Sequence, residues 1–153
     1  MSATARHGEK RSSMKILFDT SALLKRYLPE SGRDTVLALV AGATRAVAAP
    51  HCKLELYSAL KRVQRDTQAS ETSYRDTCAE VERNFSDMEV LPLSASVERC
   101  AIHALDTSAM RGMDALHIGA ALAAGVDLFV TADIRQFNSA QALGLKATLL
   151  KDS

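Results

Sequence analysis

The stretch KILFDTSALLKRYLPE, residues 15–30, runs three apolar residues of strand type, Ile16, Leu17 and Phe18, straight into Asp19, after which Thr20 and Ser21 open a helical pattern. An unbroken apolar run of this kind reads as a strand buried on both faces, which is the habit of parallel sheets. It places a carboxylate at the mouth of the core. The same design recurs at LFVTAD, residues 128–133, where the buried run Leu128 to Thr131 leads into Asp133.

Working outward from these two strands, helical and strand patterns alternate. Residues 14–19 predict a strand, 20–27 a short helix, and Pro29-Glu30-Ser31-Gly32 a turn. A second helix with Val36, Leu37, Leu39 and Val40 ends near Gly42, and AVAAP (46–50) predicts a strand with Pro50 suited to the first turn of a helix. From His51 to about Thr67, Leu56, Leu60 and Val63 fall on one stripe with Tyr57, opposite Lys61, Arg62 and Arg65. Residues 70–87 form a polar amphipathic helix, VLPL (90–93) a short strand, and 96–109 a further helix. RGMDALHIGAALAAG starts another helix that Gly125 caps; LFVT is a strand, 133–143 a helix, and KATLL (146–150) a final strand. Alternation of this kind predicts an α/β fold with a mostly parallel central sheet flanked by helices on both faces.

The bulk numbers agree with one soluble domain. A chain of 153 residues buries roughly 68–70% of its unfolded surface on folding and needs no metal or disulfide as a staple. Apolar residues make up 47% and charged residues 24%. The formal charge is +1; Arg6, Lys10, Arg11 and Lys15 against Glu9 put +3 in the first fifteen residues, leaving −2 for the rest. No strongly basic footprint of nucleic-acid binding follows, so any such binding relies on local patches. Cys52, Cys78 and Cys100 are odd in number and lack CxxC spacing, which predicts reduced thiols and a cytoplasmic location. Uncharged runs such as Ala115 to Val126 are too short to span a bilayer. Residues 1–13 have basic residues but no apolar segment behind them, and predict a disordered leader rather than a secretory signal.

In an open α/β sheet, ligands bind outside the carboxyl ends of the strands. Asp19 and Asp133 therefore belong on the functional rim. Glu55 in KLELY and Asp114 in GMDALHI sit in the first turns of helices that face the same rim. Taken singly, each Asp is better explained as a helix cap, which contributes about 0.5–2 kcal/mol, and Glu55 could reach solvent or pair with Lys61. The set resists that explanation. Two carboxylates about 4 Å apart repel by roughly 4 kcal/mol at an effective dielectric of 20, so four acids brought together call for cations or protons. Oxygen-only ligands suit Mg²⁺ or Mn²⁺ rather than zinc, and a metal site for phosphate chemistry is the natural reading. Ser21 could cap the helix, hold a metal-bound water or hold a phosphate oxygen. Thr131 could orient Asp133 through its hydroxyl, or simply favour a strand. His117 shares the face of Asp114, three positions on, but a lone His is more often a satisfied core residue.

FDTSALLKRYLPE, LELYSAL, RGMDALHIGAALAAG and LFVTAD with Phe137, in this order and spacing, resemble a PIN domain of the VapC toxin type, over Met14 to Leu150. The resemblance implies a PIN domain over residues 14–153 and a metal-dependent endoribonuclease. It also implies Mg²⁺ or Mn²⁺ as cofactor, a VapB-like antitoxin as partner, and a homodimer that can grow into a heterotetramer or larger assembly with that antitoxin. By the resemblance Asp19, Glu55, Asp114 and Asp133 are the acids that hold metal, and Ser21 matches the frequent Ser/Thr/Asn of D-x-[ST]. Hydrolysis would leave a 5′-phosphate and a 3′-hydroxyl. His51-Cys52-Lys53 departs from the small or hydroxyl residues often found before the second acid. For RNA contact the candidates are Lys25, Arg26, Lys61, Arg62, Arg65 and Arg111, which would grip phosphates without reading sequence; aromatics are too few to support stacking on bases.

Other readings compete. A haloacid dehalogenase-type phosphotransferase needs an acid where Ser21 stands, and a phospho-acceptor receiver domain expects an acidic pair near the first strand and a late Lys. The remaining alternative is a PIN-like scaffold that binds RNA or protein without significant nuclease activity.

Overall fold

A computed structural model describes residues 13–151. Five strands, β1 (Lys15–Phe18), β2 (Arg45–Ala48), β3 (Glu89–Val90), β4 (Leu128–Thr131) and β5 (Ala147–Leu149), form a single sheet in the order β3-β2-β1-β4-β5, with every pairing parallel. Among the described residues, seven helices connect them: α1 (Thr20–Leu24), α2 (Arg33–Gly42), α3 (Cys52–Thr67), α4 (Glu71–Ser86), α5 (Ala95–Thr107), α6 (Gly112–Ala124) and α7 (Ile134–Ala142).

The central strands alternate between two cores. Ile16 and Phe18 of β1, with Leu128 and Val130 of β4, join Val36, Leu56, Leu60, Val81 and Phe85 from α2, α3 and α4. Leu17 and Phe129 point the other way and join Val97, Ala101, Ile118 and Ala140 from α5, α6 and α7. Period-two alternation within an uninterrupted apolar run is what a sheet covered on both faces requires. The expected parallel α/β architecture is therefore the observed one.

Local chemistry sets the element ends. Gly125 closes α6 in the left-handed region at φ 62°, as its position after the apolar run predicts. Ser70 and Ser94 cap α4 and α5 by accepting from Ser73 N and Val97 N. Two boundaries depart from expectation. The strand expected over residues 90–93 is only Glu89–Val90, because Pro92 has no N–H to continue a ladder; the last backbone bond to β2 runs from Leu91 N to the carbonyl of Ala48. The first helix ends at Leu24 rather than residue 27. Residues 1–12 of the expected leader lie outside the described residues, whereas Ser13 places its Oγ 3.4 Å from Thr44 Oγ1.

On the far side of the sheet α5 and α6 approach closely at Gly119, where a Cβ would stand 2.6 Å from the backbone nitrogen of Ala101. Gly119→Ala is expected to lower stability by about 1–3 kcal/mol through overpacking, against the roughly 1 kcal/mol that Ala gains over Gly in helix propensity. Urea unfolding measures this, and a higher midpoint in the variant would show that the two helices can part without cost.

Strand order reverses at β1, with β2 and β3 to one side and β4 and β5 to the other. Such a switch point opens a crevice beyond the carboxyl ends of β1 and β4. The two strands are locked in register there, Phe18 opposite Val130, and Asp19 N donates to the carbonyl of Val130 at 3.0 Å.

Candidate active site

Asp19 leaves β1 at this crevice and is buried. Its Oδ1 accepts from Ala22 N at 2.9 Å and from Ser21 Oγ at 2.7 Å; its Oδ2 accepts from Thr131 Oγ1 at 2.5 Å. These donors come from the first turn of α1 and the last residue of β4, so the switch point itself fixes the carboxylate. Burial nevertheless pushes the Asp19 carboxyl above its ordinary range, against the downward pull of His117 and of the Thr131, Ser21 and Ala22 hydrogen bonds. A buried acid with this bias gains from a cation.

Ser21 and Thr131 both serve Asp19 through their hydroxyls. Ser21 Oγ donates to Asp19 and accepts from Ala132 N at 2.9 Å, so it clamps the end of β4 to the start of α1. Thr131 serves Asp19 through its hydroxyl and meets Asp133 only as the acceptor for that residue's backbone N–H, at 3.0 Å. The Asp133 side chain caps α7, accepting from Arg135 N at 2.8 Å and Gln136 N at 3.4 Å. Asp114 differs from both: it lies in the first turn of α6, whose cap residue is Arg111, and its carboxylate receives no hydrogen bond among the described residues. Gln136 instead donates to the Asp114 carbonyl at 3.1 Å.

Glu55 is held by a group that sequence patterning underrates. Its Oε1 accepts from Thr20 Oγ1 at 2.7 Å, lies 2.8 Å from His117 Nε2 and 3.4 Å from His51 Nε2. Burial raises its pKa, but the hydrogen bonds from His117 and Thr20 and the imidazole charges outweigh that, and the net direction is down. His51, four residues earlier on the same helix face, is shifted down by burial and by His117, so at neutral pH its contact with Glu55 is not an ion pair. Its Nε2 lies 2.8 Å from the Met113 carbonyl. Thr20 also reaches Cys52, whose thiol is pushed up to about 12 by burial and stays protonated. The same-face spacing of His117 from Asp114 was the available signal for His117; nothing in the sequence marks Thr20.

One pocket of about 310 Å³ is lined by Asp19, Glu55, Asp114 and Asp133 together with Thr20, Ser21 and Arg62. A neighbouring pocket of about 300 Å³ shares Asp114 and Asp133 and adds Arg111 and Arg135. The four acids thus share one wall. They are spread more widely than a single compact ligand shell: among the described residues, the group of three with ligand atoms within 4.8 Å of one another is His51, Glu55 and His117. That spacing fits Mg²⁺ or Mn²⁺, since Mg²⁺ keeps several waters and binds through one or two carboxylates.

The basic candidates separate. Arg62 lines the acid pocket and Arg111 the pocket beside it. Lys61 and Arg65 are exposed, with the Lys61 ammonium 4.4 Å from the Tyr74 ring centroid. Lys25 is a correction: its side chain is buried, 7% exposed, with Nζ 3.3 Å from Glu30 Oε1, so it is not presented to RNA. Arg26 lines a different pocket with Asn84 and Asp87.

Comparison with known proteins bears on the same residues. Residues 16–142 match the PIN domain family model. The ribonuclease VapC49 of Mycobacterium tuberculosis is 31% identical over 133 residues, covering 86% of this chain and 92% of that protein. Among solved structures, the sarcin-ricin loop cleaving toxin VapC20 of Mycobacterium tuberculosis superposes with a TM-score of 0.62 at 18% identity, covering 85% of this chain and 95% of that one. VapBC2 of Rickettsia felis, bound to a DNA fragment from its promoter, superposes with a TM-score of 0.65 at 14% identity, covering 90% and 100%. At these identities the solved structures speak for the fold.

Proposed function

The chain belongs to the PIN domain family, and on that premise we propose that its acid pocket is the active centre of a metal-dependent endoribonuclease serving as the toxin of a toxin–antitoxin pair. The observation that carries this reading is the convergence of Asp19, Glu55, Asp114 and Asp133 on one pocket at the switch point of a parallel sheet. The ribonuclease relatives support RNA as the substrate, and the VapBC complexes among the similar folds support a VapB-like antitoxin as the partner. The family's homodimer belongs to the same proposal. Among the described residues, no helix is long and apolar enough to cross a membrane.

Each side chain then has a task. Asp19 and Asp114, with Glu55 and Asp133 beside them, would hold Mg²⁺ or Mn²⁺. A bound divalent ion lowers the pKa of a coordinated water and stabilises the charge on the scissile phosphate. Thr131 and Ser21 keep both Asp19 oxygens aimed and biased toward the ionised form. Thr20 and His117 fix Glu55 through Oε1. Arg62, in the acid pocket, and Arg111, in the pocket beside it, contact RNA phosphates and position the strand without reading its bases.

The test is cleavage of a structured RNA by the purified chain stripped of metal, followed by return of Mg²⁺ or Mn²⁺. Cleavage is expected only after the ion is returned, with 5′-phosphate products. Equal cleavage in excess chelator would contradict the metal-dependent reading.

A further inference from the structure

His51 and His117 do more than the acid pocket requires of them. Their rings lie 4.3 Å apart, centroid to centroid, and each Nε2 approaches Glu55 Oε1, at 3.4 and 2.8 Å. One ligand atom from each of His51, Glu55 and His117 lies within 4.8 Å of the others. The fold builds this convergence from two helices: the cap and first turn of α3 present His51 and Glu55 four positions apart, and α6 supplies His117.

Both Nδ1 atoms are buried and have no hydrogen-bond partner among the described residues. The proton of an imidazole is placed by the bond its other nitrogen makes. Each Nε2 now donates, that of His51 to the Met113 carbonyl and that of His117 to Glu55, while Nδ1 is unbonded in both rings, so an ion that displaces these two donor bonds can take each Nε2 lone pair once the proton has moved to Nδ1. Around a four-coordinate ion with bonds of about 2.0–2.2 Å, donors sit about 3.3–3.6 Å apart. The 2.8 and 3.4 Å separations reach that spacing with shifts of a few tenths of an ångström. Glu55 and His117 also line the acid pocket, which gives an ion a way in.

We propose that His51, Glu55 and His117 form a second cation site, for a borderline divalent ion such as Zn²⁺, and that filling it holds Glu55 away from the acid pocket and inhibits the nuclease. Two imidazoles and a carboxylate are a zinc-type donor set, whereas the neighbouring acids are an all-oxygen set suited to Mg²⁺ or Mn²⁺. His51 exchanges its contact with the Met113 carbonyl, and His117 its hydrogen bond to Glu55, for bonds to the ion; each ring proton moves to Nδ1. The inhibitory half rests on the ribonuclease reading above; the binding half stands without it.

The experiment uses the full chain, stripped of metal, as wild type, His51→Ala and His51→Gln, the last retaining an amide donor for the Met113 carbonyl. Calorimetric titration with Zn²⁺ alone is expected to show one equivalent bound by the wild type and affinity at least about tenfold weaker in both variants. Co²⁺ in the wild type should give visible d–d bands without a thiolate charge-transfer band. Cleavage in Mg²⁺ is then compared with and without Zn²⁺, each protein against its own zinc-free rate: the wild type falls, and the ratio in both variants stays near one. Equal Zn²⁺ affinity in all three proteins, or a thiolate band, overturns the site. Zinc binding that follows the variants but leaves wild-type cleavage unchanged overturns the inhibition. Zinc binding that follows the variants, in a chain that cleaves no RNA in Mg²⁺, upholds the site and overturns the ribonuclease reading.

Discussion

Asp19→Asn is expected to lower RNA cleavage by about 1000-fold or more while leaving the chain folded. The substitution keeps shape and removes the charge that the switch point is built to hold. The carboxylate is buried and its pKa is raised, largest cause burial. The sign of the stability effect follows. A folded-state pKa above the ordinary value of 3.8 means that the protonated form is the one favoured by folding. That contribution is present at low pH and is lost as pH rises from the unfolded value through the folded one. At neutral pH without cation, ionised Asp19 therefore works against folding, and in the Asn variant removal of that charge should offset part of the cost of losing one of the two oxygen acceptors. Added Mn²⁺ should raise the wild-type midpoint and leave the variant unmoved. Cleavage assays and thermal melts on the same samples check both halves; retention of wild-type cleavage by the variant would favour the scaffold reading.

Thr131→Val is expected to weaken divalent-ion affinity by about 10–100-fold, the range typical of removing a group that orients a metal ligand. Thr131 is fully buried, and its hydroxyl donates to Asp19 Oδ2 while accepting the Asp133 N–H. Valine fills the same space but supplies neither bond. The Thr131 hydrogen bond is one of the influences that lower the Asp19 pKa, so its loss moves that pKa further up. Because an ion must displace the proton, binding weakens as pH falls through the Asp19 pKa, and in the variant this decline should begin at a higher pH. Calorimetry with Mn²⁺ across a pH series measures it. Identical pH profiles would show that Thr131 does not act through Asp19.

The parts of this molecule legible in the sequence are those that topology dictates. Ile16 to Phe18 and Leu128 to Val130 are apolar on every residue because both sheet faces are covered, and a residue just past such a strand must sit on the rim. This is why the apolar runs alone put Asp19 and Asp133 on one edge of the sheet. What stayed hidden depends on contacts between elements. Thr20 reads as ordinary helix composition, yet its hydroxyl spans to Glu55 across thirty-five positions. His117 reads as core, and its burial agrees, but its Nε2 is aimed at a carboxylate on another helix. Lys25 reads as a surface cation; the turn to Glu30 folds back over its stem, and the Gly32 backbone packs against its side chain. Long amphipathic side chains bury their methylenes in this way, and charge alone does not reveal it. The short third strand follows from Pro92, whose missing N–H outweighs the apolar run around it.

The central claim is that the acid pocket at the switch point is a cation site. Anomalous diffraction from crystals grown with Mn²⁺ tests it most directly. The account predicts a peak in the pocket bounded by Asp19, Glu55, Asp114 and Asp133, at ligand distance, about 2.0–2.6 Å, from the Asp19 or Asp114 carboxylate, and its loss in Asp19→Asn. A Mn²⁺ ion held elsewhere on the chain, with the acid pocket empty, would contradict it.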